Sequence, residues 1–259
     1  MVKMKRKAAF ITGTGRSQGI GAGICRELAK DGHDILFTYW TKYDEEVSFH
    51  RKKDEVTDIQ NEIISYGVRC EKIELDLQDT SSFKKGFQYC KNTLGRYPDV
   101  LVNNAAVSIN DTIYTITPES LDEHYRVNVR AATILTSEFV KQFEGEYGRI
   151  INITTGWSQG PMPDELSYVL TKSAVETLTY TLAPVLAEKN ITINAINPGP
   201  TDTGWMTDDI KQDILKRSPS GRIGEPKDCA NLTAFLASER AEWVTGQVIH
   251  SEGGFRNSL

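Results

Sequence analysis

The 259-residue sequence carries 30 Lys+Arg against 35 Asp+Glu, a net charge of −5, with 39% hydrophobic and 25% charged residues. That length favours a single domain spanning residues 1–259, burying roughly 70–75% of the unfolded chain's surface, enough for an enclosed ligand site without a metal or disulfide staple. The acidic balance argues against a general nucleic-acid or anionic-membrane binder, whose phosphates the surface as a whole repels, and leaves room for a local basic pocket.

In chain order, apolar runs of strand length fall at 8–12, 34–39, 69–74, 100–103, 148–153, 192–196 and 248–251, and helix-period segments at 20–31, 54–66, 81–94, 118–144, 165–188 and 227–237. This alternation is the pattern of βαβ units around a buried parallel sheet. The basic N-terminal residues Lys3, Lys5, Arg6 and Lys7 precede an apolar run of only Ala8 to Ile11, too short for a signal peptide or membrane span, so a cytoplasmic protein is expected. Cys25, Cys70, Cys90 and Cys229 show no metal or redox spacing and read as reduced, partly buried thiols. His33, His50, His124 and His250 read as surface or packing residues, and no metal site is expected. The charge run from Tyr43 to Asp58 reads as a solvated loop entering a polar helix face, the alternative being a border to the adenosine end of a cofactor. Pro184 inside the 165–188 segment removes a backbone donor, which predicts a kink or local break.

After the first strand comes Gly13-Thr14-Gly15-Arg16-Ser17-Gln18-Gly19-Ile20-Gly21, leading into a helix. Glycines here let the backbone turn sharply and approach a pyrophosphate, and the amides of the helix start form an anion site. Gly13 or Gly15 takes the first glycine's place. An acidic residue at the end of the second strand would select NAD through the ribose 2′-hydroxyl; Tyr39-Trp40-Thr41-Lys42 holds none. With Arg16 nearby the expected cofactor is NADP(H), NAD(H) being the alternative if Asp44 folds back onto the ribose.

Tyr168 and Lys172 stand four apart in a helix-period segment, so they share one face about 6 Å apart along the axis. An ammonium and an oxidised nicotinamide ring both favour phenolate, drawing a tyrosine pKa near 10 toward the working range. The pair alone is a weak signal.

Taken in order from Lys7 to Gly254, the motifs resemble those of the short-chain dehydrogenase/reductase family, nearest in look to bacterial 3-oxoacyl-[acyl-carrier-protein] reductases. The glycine turn resembles the family's TGxxxGxG, with two extra residues counted from Thr12-Gly13. The resemblance implies a Rossmann-type doubly wound fold, α/β, with a seven-stranded mostly parallel sheet and helices on both faces. It implies that Asp76 and Leu77 hold the adenine, that Asn104, Ala105 and Ala106 lie along the adenosine ribose, and that Pro198, Gly199, Thr201 and Thr203 clamp the nicotinamide carboxamide. The Ala106 position departs from the family's Gly. Asn128 corresponds to the asparagine that orders a water in the proton relay. Thr155 stands where the family has a serine that orients the substrate oxygen; its extra methyl restricts rotation, and the neighbouring Thr154 points to the opposite side of an extended strand.

The implied chemistry is reversible reduction of a carbonyl, of ketone or 3-oxoacyl type, to a secondary alcohol, with Asn128, Thr155, Tyr168 and Lys172 as catalytic residues. The segments 156–166 and 203–218 follow strand ends and flank the crevice. There Trp157, Met162, Trp205 and Met206 either form an apolar substrate pocket or pack the loops onto the domain. Rival readings are a sugar or alcohol dehydrogenase using NAD, enoyl reduction, which normally spaces tyrosine and lysine further apart, and a dinucleotide-binding regulatory protein without catalysis. The resemblance also implies a homotetramer assembled through the long helices.

Overall fold

The computed structural model describes residues 6–46 and 54–255. Its framework is a seven-stranded sheet: β1 (Ala8–Ile11), β2 (Asp34–Tyr39), β3 (Cys70–Glu74), β4 (Val100–Asn103), β5 (Gly148–Ile153), β6 (Ile191–Asn197) and β7 (Val248–His250), in the order β3-β2-β1-β4-β5-β6-β7. Every pairing is parallel, so the expected "mostly parallel" sheet is wholly so. Parallel strands need crossovers, and the helices that supply them cover both faces. That is why β1, β4, β5 and β6 are buried along their whole length, and the polar side chains they carry are bonded inside, as where Asn152 Nδ2 donates to Thr179 Oγ1 and Asn194 Nδ2 to the Val244 carbonyl, each at 2.8 Å.

Alternate residues of each strand feed two cores. On one face Ala9, Ile11, Ile35, Phe37, Val100 and Val102 pack with Ile24 and Leu28 of α1 (Ile20–Lys30), Ile59 and Ile63 of the helix Glu55–Ser65, and Leu236 of the helix Pro226–Ala237. On the other, Ala8, Phe10, Leu36, Leu101 and Ile150 meet Phe83 and Phe87 of the helix Phe83–Leu94 and Leu135 and Phe139 of the helix Ala132–Gln142. Phe10 and Phe87 meet edge to face with ring centroids 5.1 Å apart, and each fully buried phenyl contributes about 1.5–3 kcal/mol by leaving water. In chain order the helices are α1, α2 (Thr41–Glu46), α3 (Glu55–Ser65), α4 (Phe83–Leu94), α5 (Pro118–His124), α6 (Ala132–Gln142), α7 (Leu166–Ala187), α8 (Asp208–Lys216) and α9 (Pro226–Ala237).

Three expectations change. The 118–144 segment is not one α-helix: α5 and α6 are joined by a π-helical stretch, Tyr125–Ala131, centred on Asn128. The Asn128 amide is bonded to the backbone of Val107 on both sides, N–H to Oδ1 at 2.8 Å and Nδ2 to carbonyl at 2.9 Å, which pins the helix where its hydrogen-bond ladder widens. Pro184 does not break α7, which runs on to Ala187. The carbonyl that the proline leaves without a donor belongs to Tyr180, and both residues are exposed, so water can replace the lost bond. Residues 208–216, read as part of a loop, form α8, whose start is capped by Thr207 Oγ1 accepting from Ile210 N. The four thiols are wholly buried, and burial pushes the Cys25, Cys90 and Cys229 thiols up to about 12, which makes them poor nucleophiles. No helix among the described residues is long and apolar enough to cross a membrane.

Candidate active site

Strand order reverses at β1, whose neighbours β2 and β4 lead to opposite edges of the sheet, and ligands of such sheets bind beyond the strand C-termini at that switch point. A cleft of about 1380 Å³ opens there. Single small ligands fill roughly 300–1,000 Å³, so there is room for a dinucleotide and a second reactant.

At one end the chain leaves β1 through the glycine turn. Gly13 has φ +73°, and a Cβ on it would lie 2.6 Å from Ala105 Cα, so glycine is required where the turn presses on the exit of β4. Asn104 fastens the two together: its Nδ2 donates to the carbonyls of Thr12 at 2.8 Å and Gly13 at 3.0 Å, while Thr12 Oγ1 accepts from the amides of Asn104 and Ala105. A Cβ on Gly21 would meet Gly13 O and Thr14 Oγ1 at 2.7 Å, so this glycine brings α1 against the turn rather than touching a ligand. Gly19 caps α1 with no side chain, and the first turn of α1 carries no acidic residue. Open amides at a positive helix end suit a pyrophosphate, so the residues present fit a dinucleotide.

Of the anticipated cofactor residues, Gly13, Gly15, Arg16, Gly19, Ile20, Tyr39, Trp40, Asp76, Leu77, Asn104, Ala105, Ala106, Pro198, Gly199, Thr201 and Thr203 line the cleft together with Tyr168 and Lys172. Ser17, Gly21 and Thr41 do not. Ser17 is held away by Arg26, whose guanidinium donates to its Oγ and carbonyl, and by Glu55, which accepts from its amide at 2.6 Å. The Thr41 amide is bonded to Glu74 Oε1 at 3.0 Å, so Lys42 and Tyr43 of α2 reach the cleft in its place. Arg16 spans the cleft's edge, donating to the carbonyl of Thr203 at 3.1 Å. The side chain of Asp44 and residues 47–53 of the charge run lie outside the described residues.

At the other end α7 presents Tyr168 and Lys172 to the cleft, with Lys172 Nζ 5.5 Å from the phenol ring centroid. Lys172 is only 3% exposed. Its ammonium donates to the Ile153 carbonyl at 2.7 Å, and among the described residues no carboxylate pairs with it. Burial alone lowers its pKa from 10.5 to about 8. Burial pushes the Tyr168 phenol above its ordinary value, and the charges of Glu165 and Tyr43 push the same way, so in the protein alone the lowering expected from the neighbouring ammonium is not seen. Thr155 lies on the cleft wall, Oγ1 3.9 Å from Met162 Sδ, while Thr154 turns inward and donates to Glu176 Oε1 at 2.7 Å. Asn128 is buried and does not reach the cleft: its Nδ2 protons go to the Val107 carbonyl and Thr171 Oγ1. Of the four loop residues, Met162 and Trp205 line the cleft; Met206 is buried in packing and Trp157 stands off the wall.

Sequence reasoning missed three supports. Asp111 anchors the start of α7, Oδ1 accepting from Ser167 N at 2.8 Å and Oδ2 from Ser167 Oγ at 2.5 Å. Glu252 accepts from Asn197 Nδ2 and Gln159 Nε2 beside Gly199, whose φ of +63° leaves no room for a Cβ. Glu176 sits one turn beyond Lys172, a spacing legible in the sequence, whereas nothing there pointed to Asp111 or Glu252.

A crevice at the switch point of a parallel sheet, with anion-ready amides facing a buried lysine, belongs to the nucleotide-binding α/β enzymes. Within that class the comparisons are specific. Residues 13–256 match the family model described as enoyl-(acyl carrier protein) reductase. The chain is 44% identical over 258 residues to the uncharacterized oxidoreductase YjdA of Bacillus subtilis, covering 98% of this chain and 99% of that one. It is 32% identical to the 3-oxoacyl-[acyl-carrier-protein] reductase FabG of Aquifex aeolicus, covering 98% of each. Among solved structures, a blue fluorescent protein from a metagenomic library, in complex with NADPH, superposes with a TM-score of 0.84 at 31% identity over 96% of this chain and 97% of that one. The chain belongs to the short-chain dehydrogenase/reductase family and is an oxidoreductase, of a family that uses NAD(P)(H).

Proposed function

We propose that the protein reversibly reduces a carbonyl, of ketone or 3-oxoacyl type, to a secondary alcohol, with NADP(H) as the dinucleotide. The observation that carries this reading is Lys172: a cation 3% exposed, without a carboxylate partner among the described residues, held within reach of the phenol that it serves. Burying an unpaired charge costs stability, and folds keep such groups where chemistry uses them. A bound nicotinamide dinucleotide supplies the hydride, for which the chain has no group of its own. Tyr168 gives its proton to the oxygen of the forming alcohol, Thr155 donates a hydrogen bond to the same oxygen, and Lys172 keeps the phenolate that results at low cost. Asn128 acts by position: it pins the π-helical stretch against Val107 and Thr171, fixing α7 at the level of Tyr168. The four-residue step from Tyr168 to Lys172 favours carbonyl over enoyl reduction.

NADP(H) is favoured because Lys42, just beyond the end of β2, and Arg16, in the glycine turn, both line the cleft, offering positive charge to a 2′-phosphate, and Tyr39-Trp40-Thr41-Lys42 holds no carboxylate. We further propose a cytoplasmic homotetramer, supported by the exposed apolar side chains of Tyr125 and Ile134 on one helical segment and Leu170, Tyr180 and Val185 on α7. Screening NADPH and NADH oxidation against β-ketoesters, quinones, aldehydes and ketosugars tests the function. The expected result is NADPH-dependent reduction of at least one ketone class; NADH better by about tenfold or more in kcat/KM throughout refutes the cofactor assignment.

A further inference from the structure

Glu165 stands three residues before Tyr168 and lines the same cleft, half buried. Its backbone is fixed from two sides. Its amide donates to the Met162 carbonyl at 3.2 Å, its carbonyl accepts from Val169 N at 2.9 Å, and it pairs with Asp111 in a parallel bridge. The start of α7 is capped from another segment, by Asp111 through Ser167 N, and the Glu165 side chain caps nothing. Among the described residues no donor or cation bonds its carboxylate, and burial first, then the like charge of Asp164, hold its pKa above the ordinary carboxylate value. The carboxylate is half exposed to the cleft and open to water there, so a reactant that displaces that water must offer a donor in its place or leave the carboxylate unpaired.

We propose that Glu165 is a specificity residue that accepts a hydrogen bond from a substrate hydroxyl borne on the carbon next to the reacting carbonyl, so that the preferred substrates are vicinal hydroxyketones. This rests on the carbonyl-reductase reading and narrows it. The balanced reaction converts hydroxyketone, reduced dinucleotide and one proton to vicinal diol and oxidised dinucleotide: hydride goes to the carbonyl carbon, and the proton reaches the carbonyl oxygen through Tyr168. A 3-oxoacyl ester offers only acceptor oxygens to the carboxylate and is disfavoured, and a plain ketone leaves it unpaired. A site that hydrogen-bonds a substrate hydroxyl discriminates against the analogue lacking it far more than a hydrophobic pocket discriminates by size.

The test uses hydroxyacetone and butanone, which differ by hydroxyl against methyl, with the purified full-length protein and NADPH at pH 8. The wild type is expected to favour hydroxyacetone by about tenfold or more in kcat/KM, and Glu165→Leu to bring the ratio to about one. Glu165→Gln, which keeps the shape and one acceptor but loses the charge, gives an intermediate ratio. Because the ratio is taken within each variant, any change in Tyr168 common to both ketones cancels. A wild-type ratio near one, no turnover of hydroxyacetone, or a ratio unmoved by Glu165→Leu overturns the proposal. The carbonyl-reductase reading fails separately, if no carbonyl of the wider panel is reduced.

Discussion

Replacing Lys172 by Met keeps the length of the side chain and removes its charge. In the protein without dinucleotide, burial holds the lysine near pKa 8 against 10.5 for a solvated one, and that gap corresponds to about 3 kcal/mol. The sign follows from proton counting. Between pH 8 and 10.5 the unfolded chain binds more protons at this residue than the native protein, so native stability rises with pH across that window, and below pH 8 the whole cost of the buried cation is present. The bond from Nζ to the Ile153 carbonyl is lost in the variant at every pH and shifts the comparison by a constant. Urea unfolding of both proteins, followed by tryptophan fluorescence from pH 7 to 10.5, should therefore show the stability of the wild type rising relative to Lys172→Met by about 3 kcal/mol, nearly all of it above pH 8. A difference that stays constant with pH would refute the claim that the lysine is an unpaired buried cation.

Gly21→Ala puts a methyl 2.7 Å from Gly13 O and Thr14 Oγ1 and 2.8 Å from Asn104 Nδ2; it should destabilise the fold by about 1–3 kcal/mol and weaken NADPH binding by displacing the turn. Calorimetry and fluorescence titration check this, and unaltered values of both would count against the role given to the turn. Thr155→Val exchanges the hydroxyl for a methyl of similar size and should lower kcat by about 100-fold or more, whereas Thr155→Ser should hold it within about threefold because the donor is retained. Steady-state kinetics on one ketone decides, and equal rates for the serine and valine variants would remove Thr155 from the chemistry.

The sheet was legible because strands buried on both faces are mostly apolar, as in 8–11 and 100–102, and because a glycine turn between such a strand and a helix has few other uses. The π-helical stretch was not. Widening the ladder around Asn128 leaves the apolar spacing of 118–144 nearly helical, and its cause is a contact with Val107, 21 residues earlier in the chain. Pro184 misled in the other direction, because the cost of an interior proline depends on whether water reaches the orphaned carbonyl, which is a matter of exposure. Ser17 and Thr41 sit in the right segments, yet Arg26, Glu55 and Glu74 turn them from the cleft through bonds between separate elements. The Glu165 carboxylate stands out only once Asp111 is seen to do the capping of α7 in its place.

In the proposed reaction everything turns on the Tyr168 hydroxyl moving the proton. Tyr168→Phe removes that oxygen alone, so with any ketone the wild type reduces, kcat should fall by about 10²–10⁴-fold while the Kd for NADPH stays within about threefold, since the glycine turn proposed to hold the pyrophosphate is untouched. A phenylalanine variant that turns over at the wild-type rate would contradict it.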